Sequence, residues 1–332
     1  NNGAVNLFAG AGAVTLAPGK VVYAGTAPIT VRSGADLYNA PYLTGGLLSL
    51  ISTQGSVFIN QGIDSSIGNL FLQAAGDVNV NQPIVSLSGG NTVNVSAGND
   101  INVNAQIDGR PALGSNPNGS VTMTAGQDIN LNKSILANGI NLTASNGTII
   151  APTMKDGTVT INPATGIPQG EGLFSGNGTI SVTAGGNLSS GIYVTTGPVF
   201  IRSTGGNVTV DTKLAEILGS VFITADAGSV NIDQEIANIR SGSNLTITAG
   251  TNINLNRQID ALDDTNPLSI APVPGGSVSF TAGNNVNLNR DLGTYNGPVD
   301  ITATTGTLNI AWNGADNRTY RIQTGTAPIT VT

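Results

Sequence analysis

The amino-acid sequence predicts an all-β protein, a right-handed parallel β-helix (β-solenoid) of about 14–15 coils. One pattern of residues leads to this prediction. At residues 119–132 it reads Gly-Ser-Val-Thr-Met-Thr-Ala-Gly-Gln-Asp-Ile-Asn-Leu-Asn. It returns at residues 276–289 as Gly-Ser-Val-Ser-Phe-Thr-Ala-Gly-Asn-Asn-Val-Asn-Leu-Asn. Equivalent apolar positions recur about every 20 residues, the spacing at which a solenoid is expected.

Alternation within each repeat predicts strands. Apolar and polar residues alternate with a period of two, whereas an apolar stripe on a helix would recur at three and four residues. Val121, Met123 and Ala125 are expected to point inward, and the threonines between them outward. After Gly126 the chain is expected to turn, so that the next apolar residues, beginning with Ile129, again point inward. Short strands joined at glycine corners are typical of one β-helix coil.

The first inward apolar residue of each repeat marks where a coil is predicted to begin. These residues are Val5, Ile29, Leu48, Leu70, Val93, Val121, Ile140, Val159, Ile180, Val199, Val221, Leu245, Val278, Val299 and Ile329. Longer inserts that interrupt the rhythm, and are predicted to protrude as loops, lie at 109–118, 163–176 and 260–275.

Two segments near the ends of the chain have the same sequence. Residues 25–31 and 325–331 share the sequence Gly-Thr-Ala-Pro-Ile-Thr-Val. We therefore predict that residues 1–332 form a single continuous β-solenoid, about one long super-repeat of a larger fibre. Since no capping segment is recognisable at either end, we expect the ends to meet further coils.

A glycine and a short polar residue mark each predicted corner. The glycines are Gly76, Gly98, Gly126, Gly185, Gly250 and Gly283. We expect them often to adopt a positive φ, where only glycine is unstrained. The polar residues are Asp77, Asp100, Asp128, Asn187, Asn252 and Asn285. Their side chains can bond the turn backbone or one another, which predicts a structural ladder along the stack.

Composition excludes several classes of function. The 332 residues include 45 Gly but neither Cys nor His, so disulfides, thiolate metal sites and histidine chemistry are excluded. Charged residues are only 9% and scattered, and the net charge is -7, so nucleic acid is not an expected partner. No apolar run approaches the about 18–20 residues of a membrane-spanning helix. No cofactor is predicted.

One acidic cluster is the best candidate for a binding or catalytic site. It comprises Asp260, Asp263 and Asp264 at the longest insert, near Arg257 and Arg290. Paired carboxylates can act as acid and base in a carbohydrate-active enzyme, and as hard oxygen ligands they can bind Ca²⁺ weakly. Three acids in a proline-containing loop also fit a solvated surface, the interpretation we favour. We predict no catalytic residue and no enzymatic activity.

Outward positions also carry phenylalanines, at Phe71, Phe200 and Phe222. Apolar groups on the face of a solenoid can mark a lateral contact with another molecule or the seat of a covering loop. The sequence leaves both interpretations open.

Three segments share the sequence Thr-Ala-Gly-x-x-(Ile/Val)-x-Leu-Asn, at residues 124–132, 248–256 and 281–289. They resemble the haemagglutinin repeats of filamentous-haemagglutinin-like exoproteins, large bacterial surface adhesins exported by two-partner secretion. The resemblance implies a right-handed β-helix, export across an outer membrane and a location outside the cell or at its surface. It also implies a role in attachment, biofilm formation or presentation of a distal effector.

These observations predict a structural segment of an extracellular surface fibre or adhesin, a rigid rod that stacks end to end. Its expected partners are itself or neighbouring repeats, and host or bacterial surface glycans or proteins. The alternative is a carbohydrate-active parallel β-helix enzyme or a glycan-binding module.

Overall fold

The structure is a computed structural model of the 332 residues. It describes the chain except for residues 1–2, 16–19, 64–67, 86–89, 110–117, 151–159, 163–166, 170–171, 192, 213, 215–218, 238–241, 262–275, 295–296, 314–317, 320 and 325–326. The chain divides into two compact units: unit 1 is Asn1–Pro152 with Thr158–Gly178, and unit 2 is Thr153–Gly157 with Thr179–Thr332. All regular structure in the described residues is β-strand.

Unit 1 contains the strands β1 to β21, numbered in chain order. Their bounds are β1 Val5–Ala9, β2 Val22–Gly25, β3 Ile29–Ser33, β4 Leu37–Tyr38, β5 Tyr42–Thr44, β6 Leu48–Ser52, β7 Val57–Ile59, β8 Leu70–Ala74, β9 Val78–Val80, β10 Ile84–Val85, β11 Thr92–Ala97, β12 Ile101–Val103, β13 Ile107–Asp108, β14 Ser120–Ala125, β15 Ile129–Leu131, β16 Ile135–Leu136, β17 Gly139–Ala144, β18 Ile149–Ile150, β19 Thr160–Asn162, β20 Ile167–Gln169 and β21 Leu173–Phe174.

Unit 2 contains the strands β22 to β41. Their bounds are β22 Ile180–Ala184, β23 Leu188–Ser190, β24 Tyr193–Val194, β25 Val199–Ser203, β26 Val208–Val210, β27 Val221–Ala225, β28 Val230–Ile232, β29 Ile236–Ala237, β30 Asn244–Ala249, β31 Ile253–Leu255, β32 Ile259–Ala261, β33 Ser277–Ala282, β34 Val286–Leu288, β35 Leu292–Thr294, β36 Val299–Ala303, β37 Leu308–Ile310, β38 Trp312–Asn313, β39 Arg318–Thr319, β40 Ile322–Gln323 and β41 Ile329–Val331.

Each unit is a parallel β-helix whose coils contribute one strand to each of several parallel sheets. We call these sheets side 1, side 2 and side 3. In unit 1 they run β1-β3-β6-β8-β11-β14-β17, then β4-β7-β9-β12-β15-β18, then β10-β13-β16-β21. In unit 2 they run β22-β25-β27-β30-β33-β36-β41, then β23-β26-β28-β31-β34-β37, then β29-β32-β35-β40. The predicted all-β parallel β-helix is confirmed. With seven side-1 strands in each unit, the described coils agree with the number predicted.

Coils stack in register because equivalent residues face each other. On side 1, Val121 pairs with Val93 of one neighbouring coil and with Ile140 of the other. All three side chains are buried. β-branched residues suit the pleated strand, and each buried Val or Ile side chain contributes about 1.5–3 kcal/mol. The core is therefore a set of aliphatic columns that run along the stack, with polar residues between them facing outward.

The stretch around Val159 departs from the prediction of a coil start. Val159 itself lies outside the described residues, but β19 pairs antiparallel with β20 and so forms a hairpin. The alternation in Val-Thr-Ile resembles a coil strand, yet the hairpin begins at Thr160 and continues into the insert predicted at 163–176. That insert ends earlier than predicted, because Leu173 and Phe174 of β21 are buried and pair with β16.

The other inserts are described only at their edges. Gly109 donates its N–H to the Leu136 carbonyl at 2.6 Å, and residues 110–117 lie outside the described part of the chain. Ala261 ends β32, and residues 262–275 are likewise outside it. The single continuous solenoid over 1–332 stays a prediction. In the parts of the chain described, no helix has the length and apolar character needed to cross a membrane.

Candidate functional site: side-chain ladders along the coils

The corner between side 1 and side 2 brings consecutive coils very close together. A Cβ at Gly98 would overlap the Ala75 carbonyl oxygen, and one at Gly126 would overlap the Gly98 carbonyl oxygen. Equivalent overlaps with a carbonyl oxygen of the preceding coil arise at Gly250 and Gly283, whereas a Cβ at Gly76 would overlap the Ser56 hydroxyl. Gly185, between Ala184 and Gly186, holds the same position in its coil.

The reason predicted for these glycines was wrong. Among the described residues, the glycines with positive φ are Gly25, Gly90 and Gly242, and none of them is a corner glycine. The corner needs glycine because no room exists for a side chain between stacked main chains, and not because the backbone is left-handed.

The predicted polar residues of unit 1 form a ladder at this corner. Asp77 Oδ1 accepts the N–H of Asp100 at 3.2 Å, and Asp100 Oδ1 accepts the N–H of Asp128 at 2.9 Å. Asp128 Oδ1 accepts the Thr148 N–H at 2.6 Å. Each carboxylate thus bonds the main chain of the following coil. A main-chain N–H of the following coil donates to each carboxylate, which offsets part of the repulsion between the like charges of the column.

Unit 2 builds the same corner ladder with neutral side chains. Asn187 Oδ1 accepts the N–H of Asn207 at 2.8 Å. Asn252 Oδ1 accepts the Asn285 N–H at 3.1 Å, and Asn285 Oδ1 accepts the Thr307 N–H at 3.0 Å. Every predicted corner residue of both units therefore lies in a ladder that links successive coils.

Two further columns on side 2 of unit 1 were missed by the sequence analysis. In the first, Asn130 donates from Nδ2 to Asn102 Oδ1, and Asn102 donates to Asn79 Oδ1, each at 3.0 Å. In the second, Asn132 donates to Asn104 at 2.8 Å, and Asn104 donates to Asn81 at 2.9 Å. The signal was present, since both positions are Asn throughout the Ile-x-Leu-Asn repeats. Outward polarity alone does not reveal that the amides bond one another.

Side 2 of unit 2 repeats these columns. Asn254 donates to Asn231 and Asn287 donates to Asn254, each at 2.7 Å, and Asn309 donates to Asn287 at 2.8 Å. A second column links Asn289, Asn256 and Asp233 at 2.8 and 2.7 Å. An amide carries both donors and an acceptor, so a column of amides continues from coil to coil. These columns fix the register of the coils.

Outward aromatic side chains stack along the coil axis. The rings of Phe200 and Phe222 lie 4.8 Å apart at 7°, beside an ion pair in which Arg202 Nη2 donates to Asp226 Oδ2 at 2.6 Å. That contact raises the pKa of Arg202, first through the hydrogen bond and then through the charge of Asp226. Phe200 is 40% exposed, so no segment in the described residues covers it fully.

A second aromatic pair and Phe71 also lie at outward positions. Tyr38 and Phe58 of side 2 in unit 1 stack at 4.9 Å and 11°. Phe71 pairs in register with Ser49 and Asn94 on side 1 and is half-buried. Stacked rings at this spacing stabilise the contact between neighbouring coils by about 0.5–1.5 kcal/mol beyond their burial.

The predicted acidic cluster is only partly described. Asp260 lies in β32 opposite Gly293 of β35. Asp263 and Asp264 lie outside the described residues, so Ca²⁺ binding there stays a prediction. Among the residues that the structure describes, no group of three or more His, Cys, Asp or Glu could hold a metal ion.

One polar pair in unit 2, a buried tyrosine and a half-buried aspartate, was not predicted. Tyr193 is fully buried on the third side of its coil, and its hydroxyl has no hydrogen-bond partner in the described structure. Asp211 accepts the Ser189 hydroxyl at Oδ2, at 2.5 Å, while its buried Oδ1 also has no partner there. Burial raises the pKa of Tyr193 above its usual range; the nearby Gly191 backbone lowers it in part, and the charge of Asp211 raises it.

Comparisons of the chain with protein-family models, with curated proteins and with solved structures find no match. The resemblance to haemagglutinin repeats therefore stays a prediction from the residues.

Proposed function

We propose that this chain is a structural segment of an extracellular surface fibre or adhesin of a bacterium, without catalytic activity. The ladder architecture is the observation that carries the proposal. In both units the polar side chains at the corner and on side 2 bond the neighbouring coil, as Asn130 bonds Asn102 and Asn287 bonds Asn254. Polar columns satisfied in this way serve stiffness and register. The resemblance of the repeats to those of surface adhesins supports the extracellular location.

Exposed apolar side chains support end-to-end stacking. In unit 1, Val5 and Leu7 occupy inward positions of β1 and are only half-buried, whereas their partners Ile29 and Val31 in β3 are fully buried. In unit 2, Ile329 and Val331 occupy inward positions of β41 and are 45% and 53% exposed. Apolar surface of this kind marks contact sites. A contact between two different edges does not close on itself, so it continues as a filament.

Sedimentation velocity of the purified protein tests this stacking. Val331→Asp places a charge at an inward position of β41, whereas Thr330→Asp places the same charge at the outward position next to it. We expect the unmodified protein and Thr330→Asp to assemble as concentration rises, and Val331→Asp to need about tenfold more protein, a cost of roughly 1.4 kcal/mol. A monomer at all concentrations, or equal assembly of all three proteins, would contradict the proposal.

A further inference from the structure

Strand β41 has the same sequence as β3 but a different environment. Residues 25–31 and 325–331 are identical and include Ile29 and Val31 of β3 and Ile329 and Val331 of β41. Strand β3 lies between β1 and β6 on side 1 of unit 1. Strand β41 is the last strand of side 1 in unit 2, and within the described residues it pairs only with β36.

The two strands also share their local geometry on the side that is paired. Val5 donates its N–H to the Pro28 carbonyl at 3.0 Å, and Val299 donates to the Pro328 carbonyl at 3.1 Å. Val5 pairs with Ile29 just as Val299 pairs with Ile329. The identical sequence therefore adopts the same position in a coil, and β3 serves as an internal reference for β41.

The reference shows what buries these side chains. Ile29 and Val31 are both 0% exposed, whereas Ile329 and Val331 are 45% and 53% exposed. In unit 1 the difference is made by β6, in which Leu48 pairs with Ile29 and Leu50 pairs with Val31. The Ile29 N–H also donates to the Leu47 carbonyl of that coil at 2.9 Å. The matching edge of β41 thus offers two apolar side chains and a row of strand amides.

We propose that the open edge of β41 binds a parallel β-helical coil of the β6 type, with the pattern Leu-x-Leu-x-Ser in its strand. This inference rests on the proposed function, because it specifies the kind of coil that continues the fibre at this edge. The two leucines cover Ile329 and Val331, and the serine occupies the corner position of Ser52. A second whole copy of the chain presents β1 instead, because its own β6 is paired on both edges, by β3 and β8.

The experiment extends the full chain after Thr332 by a copy of residues 33–63, so that the copied β6 reaches β41 as β6 reaches β3. Hydrogen exchange of the Ile329 amide is the readout. We expect it to slow by about tenfold or more relative to the unextended chain. A matched control carries the same extension with Leu48→Ser and Leu50→Ser in the copy, and should leave exchange at Ile329 close to that of the unextended chain.

A second control tests the selectivity of the edge. It replaces the copied residues 48–63 by residues 121–135, which place a Val-x-Met-x-Ala strand at the same point. Weaker protection than with the β6 copy supports the inference; equal protection overturns it, and so does failure of the β6 copy to protect Ile329. Exchange of the Val121 amide, in the core of unit 1, verifies that every variant is folded.

Sedimentation of the unextended chain separates the two proposals. If the unextended chain assembles but the β6 copy does not slow exchange of the Ile329 amide, this inference is contradicted. The proposed function then stands, with β1 as the strand that stacks on β41. Protection by the β6 copy, in a protein that never assembles, supports the inference and contradicts the proposed stacking of separate molecules.

Discussion

Asp128 accepts two hydrogen bonds from Thr148 of the following coil. Its Oδ1 accepts the Thr148 N–H at 2.6 Å and the Thr148 hydroxyl at 3.1 Å. A Cβ on Gly147 would overlap the same oxygen, so the glycine leaves the space that the carboxylate fills. A side chain of one coil and a glycine of the next therefore form one structural unit.

Asp128→Ala is expected to destabilise the protein by about 1–3 kcal/mol, because the Thr148 N–H loses its acceptor. Urea denaturation measures the change. Asp128→Asn keeps an oxygen at the same place and is the matched control, which should retain most of the stability. A cost for the Asn variant equal to that of Ala would contradict the assignment.

Gly126→Ala is expected to cost about 1–3 kcal/mol, since the added Cβ overlaps the Gly98 carbonyl oxygen in the preceding coil. Gly139→Ala serves as control, because its Cβ would meet its nearest atom, Ser120 Cβ, at an ordinary 3.9 Å. Thermal unfolding followed by circular dichroism compares the two. The same small effect for both substitutions would show that the close approach of the coils at Gly126 does not require glycine.

Asn102→Ala breaks the first amide column of side 2 in both directions, at Asn79 and at Asn130. We expect a loss of about 1–2 kcal/mol. Asn94 is an exposed asparagine on side 1, and among the residues described its amide donates only to the Thr92 hydroxyl of its own strand, at 3.3 Å. Asn94→Ala should cost less than about 0.5 kcal/mol. Equal losses in chemical denaturation would show that the column adds no stability.

Tyr42→Phe should remove a loss of stability at high pH. Burial raises the pKa of Tyr42 to about 12, although a hydrogen bond with the Ala40 backbone lowers it. Above pH 10 the unfolded chain ionises this tyrosine before the folded chain does. Stability therefore falls as pH rises through this window, by up to about 1.4 kcal/mol per pH unit.

The measurement is the free energy of unfolding between pH 9 and 12, roughly the window set by the raised pKa. Tyr23→Phe is the control, because the Tyr23 ring is 67% exposed. At alkaline pH the free energy of unfolding of Tyr23→Phe should fall as much as that of the unmodified protein. Parallel curves for the protein and Tyr42→Phe would show that Tyr42 ionises freely in the folded state.

Local periodicity predicted the fold because each coil carries its own signals. The alternation around Val121 and the glycine at position 126 specify a strand and a corner without distant information. The corner position of Asp128 followed from the same repeat. Local signals did not identify the hairpin after Val159, because a Val-Thr-Ile alternation suits an antiparallel pair as well as a coil strand.

Contacts between coils were harder to predict. The hydrogen bond from the Asn130 side-chain amide to that of Asn102 joins residues 28 positions apart, and only the stacking register brings them together. The pair of Tyr193 and Asp211 depends in the same way on how a coil closes. A pattern within one repeat specifies inward and outward positions, but not which outward side chains bond across coils.

Cryo-electron microscopy of the purified protein tests the central claim, that these coils form a segment of a fibre, most directly. We expect filaments in which a repeat of about 4.8 Å, the spacing of stacked strands, runs along the filament axis. Discrete single particles at every concentration, or filaments without that axial repeat, would contradict it.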